Sequence, residues 1–481
     1  MGLSSSSYQL PTTSYRLAAW HIFCVSPRVP KLDVAIIGAG AAGVAAAHDL
    51  QKEGVSLVVL EARERIGGRV WTHHDPRTPI PIELGAEFIH GSAPEIEKTL
   101  GDAKLPTVDI AGKRWMVSGA RWTSLDDFWE RLYKVMHLMR GKGERGRGKG
   151  SDRSVQEFLD ARPGGKSLAR DRTLARQFVE GFHAADTHLI SAKALADSGT
   201  PGEEVRETRL AHVVGGYDRL IEWLAAPVAD RIRLGAMVTR VTWSAGKARV
   251  EVRPADGRSA YEIEAQSVLL TVPIGVLQAP AGATGAIAFE PDLGRTKRQA
   301  LDGLIPGSAV RVAVHLKERV WASEEFGKKV GDEETDALSF LHSSDPDFNV
   351  WWTAYPVRAP VIIGWRGGPG ARRLAHLPPD EVEARAIASL ARHLRMTPTR
   401  MRGMVEGVWM HNWELDPFAR GAYSYQRVGG ANATDALARP FKSTLFFAGE
   451  ATGTGGSTGT VDGAIETGRR AAKQISRMLE R

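Results

Sequence analysis

Residues 32–69, LDVAIIGAGAAGVAAAHDLQKEGVSLVVLEARERIGGR, constrain the fold more than any other stretch of the chain. Leu32 to Ile37 is a short apolar run suited to a buried parallel strand. Gly38-Ala39-Gly40-Ala41-Ala42-Gly43 follows, and then an alanine-rich segment that reads as helix until Gly54 stops it. A second apolar run, Val55 to Leu60, ends on Glu61, 18 residues beyond Gly43. A G-x-G-x-x-G pattern alone is weak in a chain with 51 glycines. The order strand, glycine turn, helix, strand, acid is far more specific. Gly38 allows the tight turn, Gly40 lets a pyrophosphate approach the backbone, and Gly43 lets helix and strand pack closely. Free N–H groups at the helix start, around Ala41 and Ala42, attract phosphates, and Glu61 can accept hydrogen bonds from a ribose. A nucleotide-cofactor site is expected here.

At 481 residues the chain exceeds what one hydrophobic core usually organises, so two domains are expected. The formal charge of +7 is concentrated in Arg140–Arg176, which includes RGKGERGRGKG. No aromatic residues are interleaved in that low-complexity patch to stack bases, so it reads as a solvated loop and not as a nucleic-acid site. The single cysteine, Cys24, excludes an intrachain disulfide. No stretch reaches the ~18 apolar residues that span a bilayer, so no integral membrane segment is expected. Residues 1–30 are Ser-rich and hold no acid. They match an organellar leader or a myristoylation pattern poorly, and are read as a disordered extension of a cytoplasmic protein.

Beyond Glu61 come Ala62, Arg63 and then Gly67-Gly68-Arg69. This second glycine turn brings an arginine fork able to reach a pyrophosphate. Here the sequence resembles the FAD-dependent amine oxidase family: monoamine oxidases, polyamine oxidases and flavin-dependent histone lysine demethylases. Four further stretches carry the resemblance. Glu83-Leu84-Gly85-Ala86-Glu87-Phe88-Ile89-His90-Gly91 is similar to the segment that runs past the flavin ring in polyamine oxidases. Val214-Gly215-Gly216-Tyr217-Asp218-Arg219-Leu220 precedes a helix and the strand pair around Val238, as in the adenine-side region of the family. Leu270-Thr271-Val272-Pro273-Ile274-Gly275-Val276-Leu277 is close to its strand-to-loop motif. Leu445-Phe446-Phe447-Ala448-Gly449-Glu450, followed by Gly459-Thr460-Val461-Asp462, looks like its closing flavin motif.

The resemblance implies an α/β protein. A Rossmann-type FAD-binding domain would be assembled from segments 31–105, 209–285 and 405–481, with an α+β substrate-binding domain from 106–208 and 286–404. Within the latter, LDDFWERLYKVMHLM and SVQEFLDA show helical periodicity, and Ala309–Val314 and Val361–Trp365 read as strands. PDEVEARAIASLARHLR, residues 379–395, reads as a helix with acids near its start and bases near its end.

The implied reaction removes a hydride equivalent from the carbon beside an amine nitrogen, with oxygen as acceptor. That nitrogen must be neutral, which for an alkyl ammonium at pH 7 costs roughly 4–5 kcal/mol. A dry aromatic pocket lowers that cost. No metal is required, and the chain has no HExxH or CxxC. By resemblance Trp413 packs near the flavin, Tyr423 forms one wall of the substrate cage, and Thr460 stands where monoamine oxidases carry a tyrosine. Tyr425 is read as a core residue. With no cysteine near this segment, FAD is expected to be non-covalent. Counting ten residues back from Trp321 puts Arg311 where the family usually carries a lysine that holds a water. An arginine there either keeps the water or turns away into a surface pair. His90 either contacts a substrate amine or satisfies a backbone carbonyl, and Glu87 is expected to meet the flavin with its backbone. Glu180 and His183 share one helical face, and Glu203, Glu204 and Glu207 are candidate partners for a distant ammonium or simply solvated. The IHG segment and Thr460 favour polyamine or secondary amine substrates. A dehydrogenase, an L-amino-acid oxidase using Arg311 for the carboxylate, and a non-enzymatic flavin-bound scaffold are the alternatives.

Overall fold

The computed structural model describes residues 32–119, 121–140, 152–198, 209–454 and 456–480. Cys24, the basic patch after Arg140, and Glu203, Glu204 and Glu207 lie outside them. The first strand, β1 (Leu32–Ile37), is central to an eight-stranded sheet. It pairs in parallel with β2 (Leu57–Leu60) on one side and with strand Tyr261–Leu270 on the other. Its side chains alternate between two cores: Val34 and Ile36 join one cluster, Ala35 and Ile37 the other. Burial on both faces explains why the run is continuously apolar. Strand Tyr261–Leu270 has a double partnership. Its first half pairs antiparallel with Lys247–Pro254, and its last residues pair in parallel with Leu445–Phe447. The sheet therefore brings the carboxyl ends of β1, β2 and these two distant strands to one edge, where ligands bind in open α/β sheets.

The second sheet has seven strands. Next to one edge Ala309–Leu316 lies between Val361–Gly367 and the edge strand Val405–Met410, and all eight of its residues are buried. The sheet continues through Val350–Thr353, Leu338–His342, Lys113–Ser118 and Arg121–Ser124. Helices Phe128–Arg140 and Ala169–Phe182 pack together beside it. Helix Pro379–His393 falls where 379–395 was expected, with Asp380 and Glu381 in its first turn and Arg392 and His393 in its last.

Two segment boundaries differ from the sequence expectation. Val405–Met410 belongs to the second sheet, so the third flavin-side piece starts beyond Met410 rather than at 405. Ala288–Glu290 pairs with Ala236–Ser244 in the first sheet, which carries the middle piece past 285. Both strands sit next to a crossing between domains, where sequence order does not say which sheet a strand will join. No helix among the described residues is long and apolar enough to cross a membrane.

Candidate active site

At the carboxyl edge of β1 the chain turns at Gly38, whose φ of 106° suits a residue without a Cβ. Thr271 fixes this turn by donating from Oγ1 to the carbonyls of Ile37 and Gly38 at 2.9 and 3.0 Å. Helix α1 (Ala41–Lys52) then starts with no side-chain cap and no acidic residue in its first turn. Its first N–H groups are left for an anion. A Cβ on Gly43 would lie 2.0 Å from the Gly38 carbonyl oxygen, whereas one on Gly40 meets no protein atom closer than 3.9 Å. Gly43 thus serves packing, and Gly40 leaves room for a ligand. Glu61, at the end of β2, accepts from the N–H groups of Ala39 and Arg63 at 2.8 and 2.9 Å. Its carboxylate is held at the sheet edge, as a ribose acceptor must be.

Arg63 Nη2 lies 2.8 Å from both oxygens of Asp416, and His411 lies 2.8 Å from the same carboxylate. Burial works to raise the Asp416 pKa, but these two partners outweigh it and hold the carboxyl well below its usual range. Arg69 bonds the Ala422 carbonyl and Glu450, and Glu450 accepts from the N–H and hydroxyl of Ser424 at 3.2 and 2.7 Å. Trp413 donates to the Leu84 carbonyl at 2.8 Å, and Gly85 lies so close to Arg69 that a Cβ would fall 1.9 Å from its carbonyl oxygen. These contacts join three remote segments around one opening.

That opening is a cavity of about 1010 Å³, at the upper limit of ordinary ligand pockets (about 300–1,000 Å³). Most of the residues expected to hold cofactor or substrate line it, including Ala62, Gly68, Ala86, Val238, Pro273, Gly449 and Val461, whereas Gly43 and Glu180 do not. The uncapped helix start, the open side of Gly40 and the anchored Glu61 fit the pyrophosphate and ribose of FAD.

The far part of the cavity is aromatic. Tyr423 donates to the Phe182 carbonyl at 2.6 Å, which ties its wall to helix Ala169–Phe182. Thr460 caps the last helix, Val461–Leu479, accepting from Gly463 N–H at 2.9 Å and donating to the Ser457 carbonyl at 2.7 Å. With its hydroxyl so occupied, Thr460 contributes a wall and no free proton donor. His90 packs on Phe88 and edge-on to Phe182, and its Nδ1 has no partner among the described residues. It therefore does not satisfy a carbonyl through that atom. Burial depresses the cavity-lining His90 and His183 to about 4 and His342 to about 3, so these three are neutral at pH 7. Of the Glu180–His183 pair, only His183 reaches the cavity. Tyr425 is buried in the core as expected and also lines the cavity.

Arg311 departs from the expected surface pair. It turns to a carboxylate, but inside the protein: Nη2 bonds Glu87 Oε2, with 5% and 10% of the two side chains exposed. Trp352 Nε1 donates to the same oxygen at 3.0 Å, so Glu87 engages the wall through its side chain. The sequence reading missed Trp352, Phe340, Phe182, Trp129 and Arg114. They sit on short strands and helices whose register is set by distant partners, and no local pattern marks them.

Comparison with known proteins agrees with this architecture. The chain is 27% identical over 476 residues to polyamine oxidase 2 of Arabidopsis thaliana, covering 93% of this chain and 89% of that one. It is 31% identical over 494 residues to polyamine oxidase 1 of Oryza sativa subsp. japonica, covering 88% and 93%. The structure of a putrescine oxidase bound to putrescine superposes with a TM-score of 0.75 at 23% identity, covering 93% of this chain and 99% of that one. A family profile described as flavin containing amine oxidoreductase matches residues 41–476, and the chain belongs to that family as an FAD-dependent amine oxidoreductase.

Proposed function

We propose that the protein oxidises the carbon–nitrogen bond of a small amine to an imine, with non-covalent FAD and with oxygen as acceptor. The net reaction takes amine, oxygen and water to aldehyde, released ammonia or smaller amine, and hydrogen peroxide. Bound FAD would take the hydride equivalent from the carbon beside nitrogen. Gly40, the start of α1 and Glu61 would hold its dinucleotide part, and Trp413, Tyr423 and Thr460 would border the reacting end.

The observation that carries this reading is the neutrality of three buried histidines in the cavity wall. The desolvation that drives His90, His183 and His342 neutral acts in the same direction on a bound ammonium. It favours the free-base amine whose lone pair the reaction needs. The relatives named polyamine oxidases support a polyamine. Against it, each carboxylate lining the cavity already has a protein partner among the described residues. Glu87 pairs with Arg311, Glu450 with Arg69, and Asp462 accepts from the N–H groups of Glu95 and Ile96. Glu61 and Glu466 are likewise bonded.

The test is anaerobic addition of benzylamine, putrescine and spermidine to the FAD-loaded protein, followed by air. With ε-aminohexanoate added as a fourth amine, bleaching by at least one of the four, then recovery with one peroxide per turnover, is the expected result. Bleaching that air does not reverse would replace oxygen by another acceptor, and no bleaching would end the amine-oxidation reading.

A further inference from the structure

Arg114, on strand Lys113–Ser118, lines the aromatic part of the cavity. It makes no ion pair or side-chain hydrogen bond with any described residue. Its guanidinium carbon lies 5.3 Å from the centre of the Phe340 ring and 5.9 Å from that of Trp129. The two rings are its cation–π partners and offer none of its N–H groups a carboxylate or carbonyl acceptor, so the planar fork remains suited to a flat bidentate acceptor. Beside it the buried Trp129 Nε1 also lacks an acceptor. Unmatched buried donors are rare in folded proteins and point to a missing partner. A cation and an indole N–H thus meet at this end of the cavity with no carboxylate paired to either among the described residues.

The place of this end within the cavity matters as much as its charge. Along one wall, contacts run from Tyr423 to Phe182, then His90, Phe88 and Phe340 before Arg114. Along the other they run through Phe182, Phe178 and Trp129. At least three rings line either path between the Tyr423 wall and the guanidinium. The carboxylate of an α-amino acid, one carbon from its nitrogen, cannot occupy both ends.

We propose that Arg114 and Trp129 seat a substrate carboxylate several bonds away from the amine carbon that is oxidised, so that the substrate class is an ω-amino carboxylate and not a polyamine or an α-amino acid. This rests on the amine-oxidation reading for the identity of the reacting group, but not for the anion seat itself.

Two measurements separate the two. In the first, hexanoate and hexanol, which carry no amine, are titrated into the FAD-loaded protein by calorimetry. Hexanoate is expected to bind about tenfold or more tightly than hexanol, as a charged hydrogen bond would give. Arg114→Met is expected to abolish the difference and Trp129→Phe to reduce it. Arg114→Lys, which keeps charge without the fork, should retain part of it and serves if the methionine variant does not fold. Equal binding of the two probes by the wild type, or a preference unchanged in the variants, overturns the seat whatever amines do. In the second, flavin reduction by γ-aminobutyrate is compared with putrescine, δ-aminopentanoate with cadaverine, and ε-aminohexanoate with hexanediamine. The amino acid of at least one pair should be favoured about tenfold or more in kcat/KM, with the preference lost in Arg114→Met. A diamine favoured at every length, or an α-amino acid favoured over all of them, overturns the substrate class. Absence of reduction by any amine, with the hexanoate preference intact, removes the amine-oxidation reading and leaves the seat.

Discussion

Arg311 Nη2 and Glu87 Oε2 stand 2.6 Å apart at the cavity wall, joining strand Ala309–Leu316 to the segment that follows Ile82–Glu83. Both side chains are almost wholly removed from water. In such a setting neither charge is tolerable without the other. Arg311→Met should therefore cost about 3–5 kcal/mol of unfolding free energy by stranding Glu87. The double variant Arg311→Met with Glu87→Gln removes both charges and should recover most of that loss. A urea-unfolding cycle on the four proteins measures the coupling. Additive losses would show that the two residues do not act as a pair.

The glycine turn yields a prediction that separates fold from ligand. Gly43→Ala places a Cβ 2.0 Å from the Gly38 oxygen, against backbone that cannot give way. Gly40→Ala meets nothing nearer than 3.9 Å. The first variant should lose folded yield together with flavin. The second should fold with native circular dichroism yet retain little FAD, since its new methyl occupies the path of the pyrophosphate. Equal flavin content in Gly40→Ala and wild type would separate that residue from cofactor binding.

How much of this was legible depended on whether the determining contacts were local. β1, the glycine turn, α1 and Glu61 announce themselves because apolar runs, turn residues and an acid fall within one short stretch. Helix Pro379–His393 is readable for the same reason, through its charged ends. That Val405–Met410 leaves the flavin-side segment for the second sheet is not readable locally, because its partner, Ala309–Leu316, lies far earlier in the chain. Arg114 faces Phe340 only because Lys113–Ser118 pairs in parallel with Leu338–His342. Nothing within either strand encodes that register. Arg311 was found by counting from Trp321, but its partner was not, since Glu87 comes 224 residues earlier.

Glu83 should give the protein a specific pH dependence. It accepts from Tyr217 N–H at 2.8 Å and from Thr72 Oγ1 at 2.7 Å, but burial pushes its pKa up to about 7. An unfolded glutamate titrates near 4.3, so between these values the folded state alone holds the proton. This group's contribution is then fullest below about pH 4.3 and is lost as pH rises through 7. The loss amounts to about 4 kcal/mol above that window. Glu83→Gln, which keeps the acceptor for Tyr217, should unfold at higher urea than wild type at pH 8 but not at pH 5. Parallel stability–pH curves for the two proteins would refute the assignment.

The Tyr423 hydroxyl supplies the last test, because its bond to the Phe182 carbonyl fixes the position of the wall without presenting a reactive group. Burial raises its pKa beyond the usual phenol range, so it stays protonated and continues to donate. Tyr423→Phe keeps the ring and removes the donor, leaving the carbonyl at the end of helix Ala169–Phe182 without it. The stability cost should be about 1 kcal/mol. If Tyr423 only shapes the cavity, the phenylalanine variant should raise KM for the best amine while kcat moves little, because no proton passes through the hydroxyl. Tyr423→Ala, by removing the ring and admitting water, should lower kcat as well, since a wetter pocket returns the amine to its charged form. A large fall in kcat for the phenylalanine variant, with KM unchanged, would instead make the phenol part of the chemistry.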